Sequence, residues 1–400
     1  MSIASEIQRI KNNIAAAYSA SESKGANMPQ LQNSNNLADT INSISQGGTV
    51  ENELKFLNFI DCDGTVLYSY TEEEAQELTS LPPLPVKSGC TYQSWNWTLA
   101  DIREYRFPLT VGASRIPSDG KTRMTFDLFS GDDLTLSIPF SESTGREYYF
   151  DWGDGTSDVC TESPAVHTYS SSGRKVVCID ANETYKLCTI MQETAIKLVK
   201  LEFGARHRYI VETNLLIYCY ALSEVSLPEN IKTLDSCSFQ NCISLRSLSL
   251  PSDFYEISNA SFNNCYSLRI ISMPKRISTF DTNLFLGCTA LRSVSIPNNS
   301  RNWLPTNVYY RCAGLQSVYI PSSINSIQNN AFYGCSNLRF VDLSSKTSVP
   351  TLENNSAFLS VSSNVVFYVR NAQMLEAFQS ATNWSTFASK MQIGGKYAEE

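Results

Sequence analysis

The residues Phe262-Asn263-Asn264-Cys265-Tyr266-Ser267-Leu268-Arg269-Ile270-Ile271-Ser272-Met273-Pro274 are written, with small changes, six times between about Leu216 and Leu343. Each copy carries a cysteine followed three residues later by an apolar anchor: Cys219/Leu222, Cys242/Leu245, Cys265/Leu268, Cys288/Leu291, Cys312/Leu315 and Cys335/Leu338. Successive cysteines lie 23, 23, 23, 24 and 23 residues apart. Each anchor opens the frame L-x-x-L-x-L, closed by Pro251, Pro274 or Pro297 in the clearest copies, and an aromatic stands three residues before most of the cysteines (Phe239, Phe262, Phe285, Tyr309, Phe332). Alternation in L-x-L sets the apolar side chains on one side of a short strand, which proline ends. One copy cannot bury that side alone, so the copies stack and share a continuous core.

The frame F-x-x-C-x-x-L-x-x-L-x-L-P closely resembles the BspA-like class of leucine-rich repeats, and Ala381-Thr382-Asn383-Trp384-Ser385-Thr386-Phe387 is similar to the usual ending of that class. The solenoid is expected over 194–393. It includes a degenerate first repeat (Leu198, Leu201, Phe203), a closing strand from Val365 to Val369, and a helical cap over 371–393 with Leu375, Phe378, Trp384 and Phe387. Residues 394–400 read as a tail. The fold class is mainly β and multidomain.

Only 18% of the 400 residues are charged, against 42% hydrophobic, which suits packed cores under a polar surface. A net charge of −8 argues against nucleic acid as a partner, because phosphate binding needs a basic face. The opening stretch has no apolar core of a secretory leader, and no run is long enough to insert in a membrane. The expectation is therefore cytosolic synthesis, with release by lysis or as part of a particle. Six of the twelve cysteines occupy one solenoid position, a parallel ladder ill suited to bridging, and are read as reduced packing residues. With two histidines and no C-x-x-C pair, no metal or other cofactor is expected.

Residues 1–48 carry Ile3, Ile7, Ile10, Ile14 and Ala17 at the 4-3-4-3 spacing of a coiled-coil seam, then Leu37, Ile41 and Ile44 in a second helical stretch. So small a hairpin needs a partner. It is expected to self-associate, as a trimer, or to dock onto other tail proteins, since it resembles the N-terminus of tail and baseplate-associated proteins of phages. Residues 51–105 form a small β module. Asp61-Cys62-Asp63-Gly64-Thr65 after an apolar strand matches the first motif of haloacid-dehalogenase-like phosphatases, where Asp61 would be the nucleophile and Asp63 the acid, with Lys121, Asp132 and Asp133 in later roles. That enzyme needs alternating helices and a parallel sheet, which the proline-punctuated strands that follow do not supply. Asp-Gly is equally a hairpin turn, and the module is similar to an internalin-type β repeat with Tyr92, Trp95 and Trp97 as core.

Residues 106–193 alternate strands and turns. Asp151-Trp152-Gly153-Asp154-Gly155-Thr156, with His167-Thr168-Tyr169 downstream, resembles a PKD-like β-sandwich, read as a spacer without chemistry. On the solenoid, outward positions form columns. The residue after each anchor reads Ser223, Arg246, Arg269, Arg292, Gln316 and Arg339, and three positions later come Ser226, Ser249, Ser272, Ser295, Tyr319 and Asp342. Both are expected to face solvent. The arginines, with Tyr319, are the candidate contact for a cell-surface glycan or protein. The chain is read as a non-enzymatic, virion-borne phage tail component that recognises a host surface. The alternative is a BspA-like bacterial surface adhesin, and a phosphatase through Asp61 and Asp63 is the distant third.

Overall fold

The computed structural model describes residues 56–105, 108–141, 145–207, 210–275, 277–296 and 302–399, so the helices expected over 1–48 lie outside the described residues. The first module is one mixed sheet, β1 (Leu57–Ile60), β2 (Val66–Tyr70), β3 (Cys90–Trp95) and β4 (Leu109–Pro117), in the order β2-β1-β4-β3. Helix α1 (Glu72–Glu77) opens with the capping box of Thr71 and Glu74, and Thr98 caps α2 (Leu99–Glu104). Phe59, Trp95, Trp97, Ile102 and Val111 fill the core, with Phe59 edge-on to Trp95 at 4.9 Å. Strand β4 falls beyond the sequence division at 105/106, yet it pairs with both β1 and β3 at the centre of this first sheet.

The second module contains β5 (Thr122–Leu128), β6 (Thr135–Ile138), β7 (Tyr148–Asp151), β8 (Ser157–Cys160), β9 (Ala165–Thr168) and β10 (Gly173–Ala181). Strands β6 and β9 pair separately over a core of Phe126, Phe140, Phe150 and Trp152. The larger sheet does not stop at the module. Strand β5 pairs antiparallel with β11 (Leu198–Glu202), which pairs parallel with β13 (Glu224–Ser226), β12 being the short strand Ile210–Val211. Sandwich and solenoid therefore share one core, and the sandwich closes the end of the solenoid that a free first repeat would leave open.

Each solenoid turn runs through the L-x-L strand, a two-residue strand such as Thr233–Leu234 or Glu256–Ile257, and an arc back. The arc holds a recurrent pair of left-handed residues four apart: Asn214 and Tyr218, Cys237 and Asn241, Ala260 and Asn264, Asn283 and Gly287, Asn307 and Arg311, Asn330 and Gly334. Positive φ turns their amides along the stacking axis. Asn241 N donates to Asn263 O (2.8 Å), Asn264 N to Leu286 O (2.7 Å), Gly287 N to Tyr310 O (2.8 Å) and Arg311 N to Tyr333 O (2.7 Å). Inside the arc, Phe239, Phe262, Phe285, Tyr309, Phe332 and Phe358 stack at 5.1 to 5.6 Å between ring centroids.

The cysteines complete the arc. Each thiol donates to a carbonyl of the preceding turn: Cys242 to Leu216, Cys265 to Phe239, Cys288 to Phe262, Cys312 to Phe285 and Cys335 to Tyr309, at 3.0 to 3.2 Å. All twelve cysteines are free thiols. At the far end, Phe367, Phe378, Trp384 and Phe387 pack under helix Ala372–Ser380 and a 3-10 turn, Trp384–Lys390, and Trp384 Nε1 donates to Pro350 O at 2.7 Å.

The one 24-residue spacing can be placed within its repeat. Seven residues separate Leu250 from Ile257 and Met273 from Phe280, but eight separate Ile296 from Leu304. Among the described residues the short strands divide between Thr279–Phe280 and Trp303–Leu304, and the L-x-L strands divide between Ile270–Ser272 and Ser317–Tyr319 and also between Glu224–Ser226 and Ser247–Ser249, where the spacing is 23. The arc absorbs nothing, since Phe285 still stacks on Tyr309 at 5.5 Å and Cys312 still reaches Phe285 O.

Two predictions follow from the arc. The Tyr309 hydroxyl is buried without a hydrogen-bond partner where other rungs carry phenylalanine, so Tyr309→Phe should raise stability by about 1 kcal/mol in urea denaturation. Burial pushes the ladder thiols up, Cys335 to about 12 and Cys242, Cys288 and Cys312 well above the ordinary range. Their folded values lie above the unfolded one (~8.5), so their contribution is present below that pH and is lost as pH rises through and above it. Urea midpoints should fall steadily between roughly pH 8.5 and 10.5, and iodoacetamide at pH 8 should label none of the six ladder cysteines until the chain is unfolded.

Candidate recognition surface

In the first four rungs the outward face of the L-x-L strands is covered. The sequence column Ser226, Ser249, Ser272, Ser295, Tyr319 and Asp342, expected in solvent, is buried or half-buried instead. Strand β4 and the loops of the first module lie against it. A Cβ at Gly112 would stand 1.5 Å from Ser249 Oγ and 2.9 Å from Ser272 Cβ, so only glycine opposite serine permits this approach. Ser272 Oγ donates to Thr110 O (2.7 Å), Ser247 Oγ to Cys62 O (3.2 Å) and Ser295 Oγ to Pro108 O (3.3 Å). In return, Asn96 Nδ2 donates to Leu250 O (2.8 Å), Trp97 Nε1 to Met273 O (2.8 Å) and Tyr105 OH to Ile296 O (3.3 Å). Tyr319 packs on the module's core and so is not available as a surface contact. The first module is thus no spacer: its polar loops satisfy the solenoid's strand carbonyls.

A buried ionic network locks this junction. Arg115, 1% exposed, has Nη1 3.5 Å from Asp61 Oδ2 and Nη2 2.5 Å from Glu224 Oε1. Lys87 reaches Asp61 at 3.4 Å, and Lys200 reaches Glu202 and Glu224 at 3.2 and 2.9 Å. Glu229 adds a second clamp, its carboxylate accepting from Ser94 (2.6 Å), Ser252 (2.7 Å) and Ser114. The tail also closes over the face. Lys396 N donates to Asp342 Oδ2 (2.9 Å), Tyr397 N to Ser344 Oγ (2.9 Å), and the Lys396 ammonium pairs with Glu72 of the module. Of these partners the sequence singles out only Asp61, as a candidate nucleophile, and Asp342, as an outward position, and neither as part of a junction. The available signal was the unbroken column of serines at outward strand positions, where small side chains permit close approach.

Asp61 and Asp63 sit in the β1–β2 hairpin turn. Gly64 (φ +86°) donates to Asp61 O at 3.0 Å, and Asp63 Oδ1 accepts from Thr65 N at 2.9 Å. Lys121 and Asp133 belong to turns of the second module, where Asp133 Oδ1 caps Thr135 N (2.9 Å). In that module Asp154 accepts from Thr156 and lies 2.8 Å from His167 Nε2, and these hydrogen bonds hold its carboxyl well below the usual range. Among the described residues no group of three or more His, Cys, Asp or Glu side chains is placed to hold a metal ion, and no helix is long and apolar enough to cross a membrane.

The arginine column stands beyond the module. Arg246, Arg292 and Arg339 are exposed and Arg269 half-buried. Arg269 N donates to Arg246 O (2.9 Å), Gln316 N to Arg292 O (3.1 Å) and Arg339 N to Gln316 O (2.8 Å), so these residues lie on successive rungs of one edge.

A mainly β chain whose C-terminal half is a leucine-rich repeat solenoid is the class this geometry defines. A family model described as "BspA type Leucine rich repeat region" matches residues 210–339 and 302–387, in six copies, so the chain carries BspA-type repeats. Among solved structures it is similar to the T. pallidum leucine rich repeat protein TpLRR, at 20% identity over 54% of this chain and 86% of that one, with a TM-score of 0.33. A leucine-rich repeat protein from Bacteroides ovatus shows 16% identity over 61% of this chain and 72% of that one, with a TM-score of 0.34. A leucine rich cell surface protein from Faecalibacterium prausnitzii shows 20% identity over 51% and 65%, with a TM-score of 0.27. No curated protein matches the chain.

Truncating Arg115 would remove the buried cation shared by Asp61 and Glu224, leaving them Lys87 and Lys200 at the rim of the junction. Arg115→Ala should cost about 3 kcal/mol, measured in guanidinium, and limited proteolysis should cut the first module before the solenoid.

Proposed function

We propose that the chain is a non-enzymatic, BspA-like interaction protein of a bacterial surface, and that it recognises its partner through the arginine-bearing edge of the solenoid. The observation that carries this reading is the covered strand face. With the first module and the tail lying on the L-x-L strands, recognition falls to the edges, and the one bearing Arg246, Arg269, Arg292 and Arg339 collects positive charge in an acidic chain. The ion pairs of Asp61 and its place in a turn favour a structural role for that motif. The phage tail reading draws on the resemblance of residues 1–48, and nothing in the described residues favours it over a cell-surface setting.

The test is binding of the labelled full chain to intact bacterial cells, read by flow cytometry. The triple variant Arg246→Ser, Arg269→Ser, Arg292→Ser should bind at least about tenfold more weakly with a melting temperature within a few degrees of wild type. Undiminished binding by a folded triple variant would remove the arginine edge from recognition.

A further inference from the structure

Beside the arginines runs a second column on the same edge, one that composition and repeat frame leave unassigned. Three residues before each arginine-column position stand Tyr220, Ile243, Tyr266, Thr289, Ala313 and Ser336. A tight turn joins the two columns in every rung, Leu222 N donating to Cys219 O, Leu245 N to Cys242 O and Leu268 N to Cys265 O at 3.0 to 3.1 Å. Because the cysteine and the anchor point inward, the residues after them point outward together. Ser267 N donates to Ile243 O (3.2 Å) and Ala290 N to Tyr266 O (3.1 Å), so this column is stacked in the same register as the arginines. Tyr220 is 36% exposed and Tyr266 41%, with Tyr218 (38%) beside Tyr220 at 6.0 Å between centroids. Two rings of this column thus stand partly in water on the edge that carries the arginines.

The charge of the edge is as one-sided as its shape. The six segments 220–223, 243–246, 266–269, 289–292, 313–316 and 336–339 hold four arginines and no aspartate or glutamate, in a chain whose net charge is −8. Rungs repeat about every 5 Å, comparable to the rise of one sugar residue in an extended chain. Tyr220 and Tyr266 are two rungs apart, about 10 Å, which matches the distance after which a β-linked polysaccharide presents the same ring face again. We infer that this edge binds an extended anionic polysaccharide, its sugar faces stacked on Tyr220 and Tyr266 and its carboxylates or sulfates paired with Arg246, Arg269 and Arg292. The inference rests on the arginine-edge reading above and names the ligand class for it. Guanidinium pairs with carboxylate or sulfate in a fork, and tyrosine offers a sugar an apolar ring face and a polar rim.

The probes are polygalacturonate, chondroitin sulfate, neutral dextran and single-stranded DNA, titrated against the full chain by affinity electrophoresis over a series of salt concentrations. Polygalacturonate or chondroitin sulfate should bind and dextran should not. Tyr220→Ser with Tyr266→Ser should weaken that binding about tenfold at every salt concentration, without changing its salt dependence. The arginine triple variant should lose binding together with its salt dependence. Unchanged affinity in the folded tyrosine double variant overturns the stacking. If single-stranded DNA binds as tightly as the glycans, or if neither acidic glycan binds while cell binding still depends on the arginines, the polysaccharide is wrong and the edge stands; if the arginine variant binds cells as wild type does, both readings fall.

Discussion

The structure depends on amides aimed along the stacking axis. In each arc two residues adopt a left-handed backbone, which costs an ordinary side chain of order 1 kcal/mol, and most of these positions carry asparagine or another non-glycine residue. The return is a hydrogen bond to the next rung from an N–H that would otherwise be buried unpaired. Asparagine suits the position twice over, since Asn264 and Asn307 also donate side-chain amides to Asn241 and Asn283 one rung earlier. The cysteine thiol extends the same logic inward, being a donor small and apolar enough to sit among stacked rings.

That constraint explains why the ends and the face of the solenoid are built as they are. A rung satisfied only on one side leaves a row of polar backbone groups, and at the first end β5 of the sandwich takes them up. At the last, strands Val366–Val369 and Met391–Ile393 and the Trp384 cluster do so. The lateral face is handled by a separate module that meets serine with glycine and carbonyl with indole or amide. Burial of Arg115 among Asp61, Glu202 and Glu224 then fixes which way that module sits, because a shifted pose would leave charges unpaired.

What was legible in sequence follows from this division. The ladder could be read because it is periodic: Cys265 and Phe262 announce themselves through their equivalents 23 residues away. The Asp61-Cys62-Asp63-Gly64 turn and the inward-facing Trp95 and Trp97 are likewise local. Docking has no period. Gly112 lies in an ordinary apolar strand, Glu229 in a loop, and their partners across the junction are more than a hundred residues distant, so the serine column read as solvent-facing. The arginines were visible as a column, but the tyrosines beside them alternate with Ile243 and Thr289 and so make no unbroken signature.

The one-residue insertion between Ile296 and Leu304 gives the array a mechanical seam. A solenoid is held rung by rung, and its resistance to tension is that of its weakest junction. Where both strand ladders stop, the arc and the edge bonds from Ala290 N to Tyr266 O and from Gln316 N to Arg292 O continue from one block of rungs to the next. The first module lies across that seam: Tyr105 and Pro108 hold Ile296 and Ser295 on one side, while Tyr319 rests on the module's core on the other. It therefore serves as a splint, letting two short ladders carry load as one beam.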